Sequence, residues 1–187
     1  LNYYHLGKEK IKKVKFFLNG NSVDKSKVLM LKDVLELEYE DEIDFLPEDK
    51  KINILYEDDN LLIVNKPINM LVHPDSKEKL GTLVNIVSNY YHKTNQNISV
   101  KYLHRIDMDT TGIVVFAKDI LTASKLGVEI KDHTFTRRYL CIASGKFIED
   151  SGIYNYPIAE NRYNAKKKRV SPTGKEAITH YKIIKRK

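Results

Sequence analysis

The apolar run GIVVFAK at residues 112–118 predicts a buried β-strand, because five consecutive apolar residues stand between a glycine and a lysine. Two further runs, INILYE (52–57) and LLIVNK (61–66), flank the turn-forming Asp58-Asp59-Asn60. They predict a hairpin whose second strand ends before Pro67, since proline cannot donate to a strand ladder. The middle of the chain therefore predicts a sheet in which neighbouring strands run antiparallel.

Helices are predicted on either side of this apolar run. The segment TLVNIVSNYYH (82–92) carries its apolar residues at helical spacing. The segment ILTASKLGVEIK (120–131) follows Asp119, a residue type that caps helix N-termini. Because strands outnumber helices and the connections are short, the predicted fold class is α+β, with a mixed, largely antiparallel sheet and flanking helices.

The first fifty residues predict a short β-rich segment of their own. The runs VKFFLNG (14–20), KVLML (27–31) and DVLELEY (33–39) alternate with charged residues and are typical of short strands. Asn19-Gly20 predicts a tight hairpin turn. The acidic stretch EYEDEIDFLPEDK (38–50) predicts a linker to the rest of the chain.

Two later runs, RRYLCIASG (137–145) and EAITHYKII (176–184), also predict strands. Cys141, the only cysteine, lies in the first of these runs, where we expect a small buried side chain rather than a reactive thiol. A single cysteine provides no disulfide framework, which suits a reducing compartment. We therefore expect a cytoplasmic protein.

The net charge of +7 is concentrated at the two ends of the chain. Residues 161–187 carry ten lysines and arginines against the single acid Glu176, and residues 1–32 carry eight lysines. Basic density of this kind attracts phosphates, although a solvated tail is the alternative. No apolar run approaches the length of about 18 residues that a membrane span needs, so we expect no membrane partner.

The segment YLHRIDMDTTGIVVFAKD (102–119) contains the best candidates for chemistry. It places His104, Arg105, Asp107 and Asp109 within six positions, directly before the predicted buried strand. A carboxylate at the end of such a strand can act as a nucleophile or a base. The alternative from charge pattern alone is a surface loop whose Arg–Asp pair contributes at most about 1 kcal/mol.

Other classes of site lack their sequence patterns. No second histidine stands at metal-ligand spacing from His104 and there is no cysteine cluster, so we expect no metal site. The tetrapeptide HRID is similar to the HRD of kinase catalytic loops, but no glycine-rich loop precedes it and no asparagine follows at the required offset. The eight glycines form neither a Walker nor a dinucleotide-binding pattern.

The stretch HRIDMDTTG (104–112) closely resembles the HRLDxxTSG signature of the RluA-type pseudouridine synthases. ILYEDDNLLIVNKPINMLVHP (54–74) resembles the strand–turn–strand that opens the catalytic domain of that family. FTRRYLCIASG (135–145) resembles the segment that carries the family's second active-site residue, and the basic stretch 157–184 resembles the region after it. The resemblance covers residues 52 to 187 in the right order, and the two departures in the signature are conservative.

The resemblance implies a cofactor-free isomerase that acts on uridine within RNA. Such an enzyme breaks the bond between the uracil nitrogen and the ribose, turns the base and rejoins it through a ring carbon. The implied catalytic residues are Asp107, which attacks the sugar or the ring or removes a proton from the sugar, and Tyr139, which lies against the base. Arg105 is implied to occupy the space vacated by the everted base, and His104 to orient the loop or contact a phosphate. Asp109 is interpreted as a loop or capping residue.

The resemblance also implies a domain organisation. Residues 1–46 are similar to part of a small ribosomal-protein-type RNA-binding module, and 52–187 correspond to the catalytic domain. Because the chain ends at Lys187, before the TGRTHQIRxH motif of the family, we expect the C-terminal part of that domain to be missing and identify no basic partner for Asp107. We expect a monomer acting on large-subunit ribosomal RNA before transfer RNA. The alternative is a non-catalytic RNA-binding protein with an incomplete site.

Overall fold

The protein is described by a computed structural model covering residues 11–39, 45–74 and 79–186. It divides into two compact units, Leu1–Arg137 and Arg138–Lys187. The first unit contains strands β1 (Val14–Leu18), β2 (Asn21–Val23), β3 (Leu35–Tyr39), β4 (Ile54–Glu57), β5 (Leu61–Lys66), β6 (Lys101–Tyr102) and β7 (Gly112–Ala117), with helices α1 (Leu83–Lys93) and α2 (Ile120–Lys131). The predicted division into 1–46 and 52–187 stays a prediction.

The N-terminal segment forms a three-stranded antiparallel sheet in the order β2-β1-β3. Asn19 and Gly20 have φ angles of 51° and 81°, as a two-residue hairpin turn requires, and this confirms the predicted turn. The predicted strand at 27–31 is wrong: these residues form an exposed loop. The reason is the tight turn, which pairs β1 directly with the residues that follow it. Part of the predicted linker, residues 40–44, lies outside the described residues.

The central sheet is four-stranded and antiparallel, in the order β4-β5-β7-β6. The predicted hairpin and the strand after the candidate motif are its three longest members, which confirms both. In the register of β5 and β7, Leu61 pairs with Ala117 and Lys66 pairs with Gly112. The last residue of β5 therefore lies beside the point at which the HRIDMDTTG segment enters the sheet.

Both helices lie where periodicity and capping chemistry predict them. The backbone N–H groups at the start of α1 are bound by a preceding loop, since Leu83 N donates to Leu71 O at 2.9 Å and Val84 N to Val72 O at 3.0 Å. At α2, the Asp119 carboxylate accepts two backbone N–H groups of the first turn and acts as the predicted N-cap. Among the residues described, no helix is both long and apolar enough to cross a membrane.

The core of the first unit lies between one face of the central sheet and α1. Its members are aliphatic or aromatic side chains from β5, β7, α1 and the loops that adjoin them. They are Leu62, Val64, Val72, Leu83, Val84, Val87, Tyr91, Val100, Ile106, Val114 and Phe116. The predicted α+β class with a largely antiparallel sheet is confirmed.

The second unit contains two antiparallel strand pairs. These are β8 (Ser151–Asn155) with β11 (Ile178–Lys182), and β9 (Ile158–Asn161) with β10 (Asn164–Val170). The late strand predicted within 176–184 is confirmed as β11. The strand predicted at 137–145 is wrong, and Cys141, predicted to be buried, is exposed. A strand requires a hydrogen-bonded neighbour. In the described part of this unit β8 pairs with β11 and β9 pairs with β10, and residues 137–145 pair with none of them.

Candidate active site

The HRIDMDTTG segment forms a loop, residues 103–111, between β6 and β7. Its start is joined to the sheet because Leu103 N donates to Val115 O at 3.1 Å. Its tip is a turn in which Thr110 N donates to Asp107 O at 3.1 Å. The loop ends at Gly112, whose φ of 125° is a conformation that L side chains rarely adopt. We call residues 103–111 the signature loop.

Asp107 occupies the turn of the signature loop and is exposed. The residue before it, Ile106, is only 7% exposed and belongs to the core. The backbone is therefore fixed on one side of Asp107 while its carboxylate faces solvent. An exposed carboxylate on a fixed backbone can reach a nucleoside that approaches from outside, as a nucleophile or a base must.

Lys66 lies beneath this loop with none of its surface exposed. Its Nζ donates to three carbonyl oxygens, those of Pro67 at 2.9 Å, Met70 at 2.7 Å and Met108 at 3.1 Å. The Met108 carbonyl belongs to the signature loop, directly after Asp107. The buried ammonium therefore links the end of β5 to the turn that carries the candidate catalytic carboxylate.

The charge balance around Lys66 has two opposing parts. Burial lowers the pKa of the Lys66 ammonium, and the carboxylates of Asp109 and Asp107 act in the opposite direction. Asp109 is exposed on the same turn, in agreement with its interpretation as a loop residue. Lys66 thus supplies positive charge close to Asp107 from inside the protein.

Sequence reasoning missed Lys66, although a signal was present. Along β5 the buried positions alternate, and Lys66 falls on the same face as Leu62 and Val64, both fully buried. Lysine is almost never fully buried unless its ammonium has partners. A lysine on the buried face of an alternating strand is therefore a candidate for a functional or structural role.

His104 is turned back towards β7. Its Nε2 accepts from the backbone N–H of Val115 at 3.3 Å. Burial lowers the pKa of its imidazole, and the nearby guanidinium of Arg137 adds to this effect. Its ring centroid lies 6.2 Å from that of Phe135. These contacts favour the loop-orienting role over the phosphate contact for His104.

Arg105 is exposed and points to a histidine that sequence reasoning did not single out. Arg105 Nη1 lies 3.0 Å from Nε2 of His73. The His73 ring stacks on that of Tyr102, with centroids 5.0 Å apart and planes inclined by 17°. No local pattern could have found this contact, because the two residues are 32 positions apart and meet only through the fold.

The four predicted site residues fall in different units. His104, Arg105 and Asp107 lie together on the signature loop of the first unit. Tyr139 lies in the second unit, in a segment without regular secondary structure, and is 61% exposed. Its role against the base stays a prediction. Within the described ranges, the structure contains no group of three or more histidine, cysteine, aspartate or glutamate residues placed to hold a metal ion.

The signature loop lies within the part of the chain that matches a known protein family. Residues 60–187 match the family model described as RNA pseudouridylate synthase. The chain belongs to the RNA pseudouridylate synthase family. The resemblance to its RluA-type members, inferred from HRIDMDTTG, is thereby confirmed.

Two relatives agree with this assignment. The chain is 35% identical over 150 residues to an uncharacterized RNA pseudouridine synthase of Bacillus subtilis, YhcT, covering 80% of this chain and 50% of that protein. It is 38% identical over 152 residues to the ribosomal large subunit pseudouridine synthase D of Haemophilus ducreyi, covering 81% of this chain and 46% of that protein. This chain therefore spans about half the length of these relatives.

The fold is also similar to a solved human protein, RNA pseudouridylate synthase domain containing 1. The TM-score is 0.54 and the sequence identity 16%, with 70% of this chain and 51% of that chain covered. This likeness concerns the fold alone. It supports the α+β architecture described above.

Proposed function

We propose that the protein isomerises uridine to pseudouridine within RNA. The observation that carries the proposal is the exposed Asp107 on a signature loop that the buried Lys66 braces from below, in a chain of the RNA pseudouridylate synthase family. The aspartate is available to a nucleoside from outside, and the loop that carries it is held from inside.

The chemistry asked of Asp107 is consistent with its surroundings. The reaction breaks the bond between N1 of uracil and C1′ of ribose, forms a bond from C5 to C1′, and moves the C5 proton to N1, so no atom is gained or lost. Attack on the sugar or the ring and proton removal from the sugar all require an ionised carboxylate.

The uridine must leave its stack before Asp107 can reach it, which costs a few kcal/mol in paired RNA. We assign to Arg105 the role of occupying the space left behind, because a planar guanidinium can both stack on bases and donate hydrogen bonds. We assign to Tyr139 a place against the target base. The basic residues of 161–187 would contact RNA phosphates.

The proposed substrate is large-subunit ribosomal RNA, because relatives such as that of Haemophilus ducreyi carry this substrate in their names. Transfer RNA is the next candidate. We further propose that the protein acts as a monomer in the cytoplasm, without a cofactor, a metal or a membrane partner.

The test is turnover by the full-length protein on an unmodified large-subunit ribosomal RNA transcript carrying tritium at C5 of uridine. Bond formation at C5 releases the tritium, so its release measures the reaction. We expect Asp107→Asn to abolish release while leaving RNA affinity nearly unchanged. Asp109→Asn, the same change two residues along the same turn, is the matched control and should retain most of the activity.

Two results would contradict the proposal. Undiminished turnover by Asp107→Asn would remove the aspartate from its assigned role. Tight, salt-dependent RNA binding without any tritium release from ribosomal or transfer RNA would instead favour a non-catalytic RNA-binding protein.

A further inference from the structure

We propose that His73 is a positioning residue that holds the guanidinium of Arg105 in place to enter the RNA stack. The inference rests on the role assigned to Arg105 in the proposed function and adds a residue outside the signature loop. It is carried by three contacts of the His73 ring: one to Arg105, one to Pro74 and one to Tyr102.

The hydrogen bonds of the ring admit one tautomer. A guanidinium has only donors, so Nε2 of His73, 3.0 Å from Nη1 of Arg105, must be the acceptor. The ring proton must then sit on Nδ1, which lies 3.0 Å from the carbonyl oxygen of Pro74 and donates to it. The Arg105 contact requires Nε2 without a proton and the Pro74 contact requires a proton on Nδ1, so together they fit the neutral Nδ1–H form.

The ring is held on a fixed backbone. The carbonyls of Leu71 and Val72, directly before His73, accept the first N–H groups of α1. Val72 is 2% exposed and belongs to the core, and Pro74 is buried. The orientation of the ring plane is set by Tyr102, stacked at 5.0 Å. The acceptor offered to Arg105 is therefore fixed in both position and direction.

Arg105 is fixed from the other side as well. Its neighbours are His104, bound to the β7 backbone, and Ile106, buried in the core. The Arg105 side chain itself is exposed and would otherwise sample many rotamers. Holding a long side chain in its bound orientation before the RNA arrives lowers the entropy lost on binding.

We expect the loss of this acceptor to reduce kcat/KM roughly tenfold on a target uridine that must be unstacked. The size of the effect corresponds to the side-chain entropy that an unrestrained arginine must lose when it enters the RNA stack. His73→Phe removes the acceptor but keeps a flat ring to stack on Tyr102. His73→Gln places an amide oxygen near the position of Nε2 and should restore most of the activity. His92→Phe, at an exposed histidine in the last turn of α1, is the matched control.

The deciding experiment is a double-mutant cycle in the full-length protein with the tritium assay on large-subunit ribosomal RNA. If His73 acts through Arg105, His73→Phe should have no further effect in an Arg105→Ala background. The same tenfold loss in that background would overturn the inference, as would a His73→Gln variant as impaired as His73→Phe. A rate raised by His73→Phe would also overturn it, because the contact would then restrain Arg105.

A second measurement does not depend on turnover. Nitrogen-15 NMR of the imidazoles in the RNA-free protein should show His73 as the neutral Nδ1–H tautomer, and Arg105→Ala should shift the Nε2 resonance. An Nε2–H tautomer would overturn the inference even if the enzyme acts as proposed. Conversely, an active wild type that Arg105→Ala leaves unimpaired refutes the Arg105 role and this inference with it, while the role of Asp107 stands on its own test.

Discussion

Replacing Lys66 by methionine probes the support beneath the signature loop. Methionine is similar in length and apolar, so the variant keeps the packing of the β5 side chain and removes only the ammonium. The carbonyls of Pro67, Met70 and Met108 then lose their shared donor. Because Lys66 has no exposed surface, we expect water to replace that donor poorly.

The magnitude follows from two opposing effects. A hydrogen bond from a charged donor contributes about 1.5–3 kcal/mol, so three together would contribute roughly 4.5 to 9 kcal/mol. The native protein, however, spends several kcal/mol on taking an ammonium out of water, and the variant avoids this. We expect the free energy of unfolding to fall by about 3 kcal/mol, because three buried carbonyl oxygens lose a donor at roughly 1–3 kcal/mol each, while the avoided desolvation offsets part of the loss.

The assay is urea denaturation followed by far-ultraviolet circular dichroism, with turnover measured well below the unfolding transition. Lys93→Met is the control, since Lys93 pairs with Asp49 on the surface and its loss should change stability by less than about 1 kcal/mol. Activity should also fall in the folded Lys66 variant, because Met108 is adjacent to Asp107 and small displacements of reacting groups are costly. A Lys66→Met protein as stable and as active as wild type would refute the reasoning.

Two further predictions concern groups whose partners are known. Burial lowers the pKa of His104 below its ordinary 6.5, so the folded state favours the neutral ring. The stability of the fold should therefore fall as the pH drops below 6.5, because the unfolded state then binds a proton more readily than the folded state. His104→Gln, whose amide oxygen can still accept from Val115, should lose less stability than wild type in urea titrations between pH 7 and 5, and equal losses would contradict this. Asp119→Ala should destabilise by about 1 kcal/mol because α2 loses its N-cap, while Asp119→Asn, which can still cap, should be close to wild type in thermal melts.

Local patterns were sufficient for most elements of the first unit. The hairpin of β4 and β5, the strand β7, both helices and the Asn19-Gly20 turn follow from apolar periodicity, capping residues and turn chemistry, all of which act over a few residues. These predictions were correct because the central sheet buries the strand faces that carry the apolar residues.

The two wrong strands show where local patterns stop. Residues 27–31 have a strand-like composition, but both edges of β1 are already paired, with residues 21–23 and 35–39. Residues 137–145 are apolar enough for a strand, yet pairing is decided by which edges are available and not by composition. In both cases the deciding fact is a hydrogen-bonding neighbour, which no single segment encodes.

The candidate site divides in the same way. The prediction of His104, Arg105 and Asp107 as site residues rests on one short motif, and the structure places all three on the signature loop. Lys66 could have been found from the alternation of β5, whereas His73 could not, because its contact with Arg105 joins residues 32 positions apart. A motif indicates candidate residues within one segment, and it does not indicate the residues from other segments that hold them.

The supports of the signature loop come largely from one other segment, residues 66–74. Lys66 and the backbone N–H of Met70 both donate to the Met108 carbonyl, the latter at 3.3 Å, and His73 accepts from Arg105. The segment is itself fixed by β5 at one end and by the start of α1 at the other. A change within 66–74 can therefore displace Asp107 or Arg105 without contacting RNA. If the protein acts on RNA as proposed, variants there should alter turnover more than RNA affinity, because phosphate contacts supply a large share of the affinity of nucleic-acid-binding proteins.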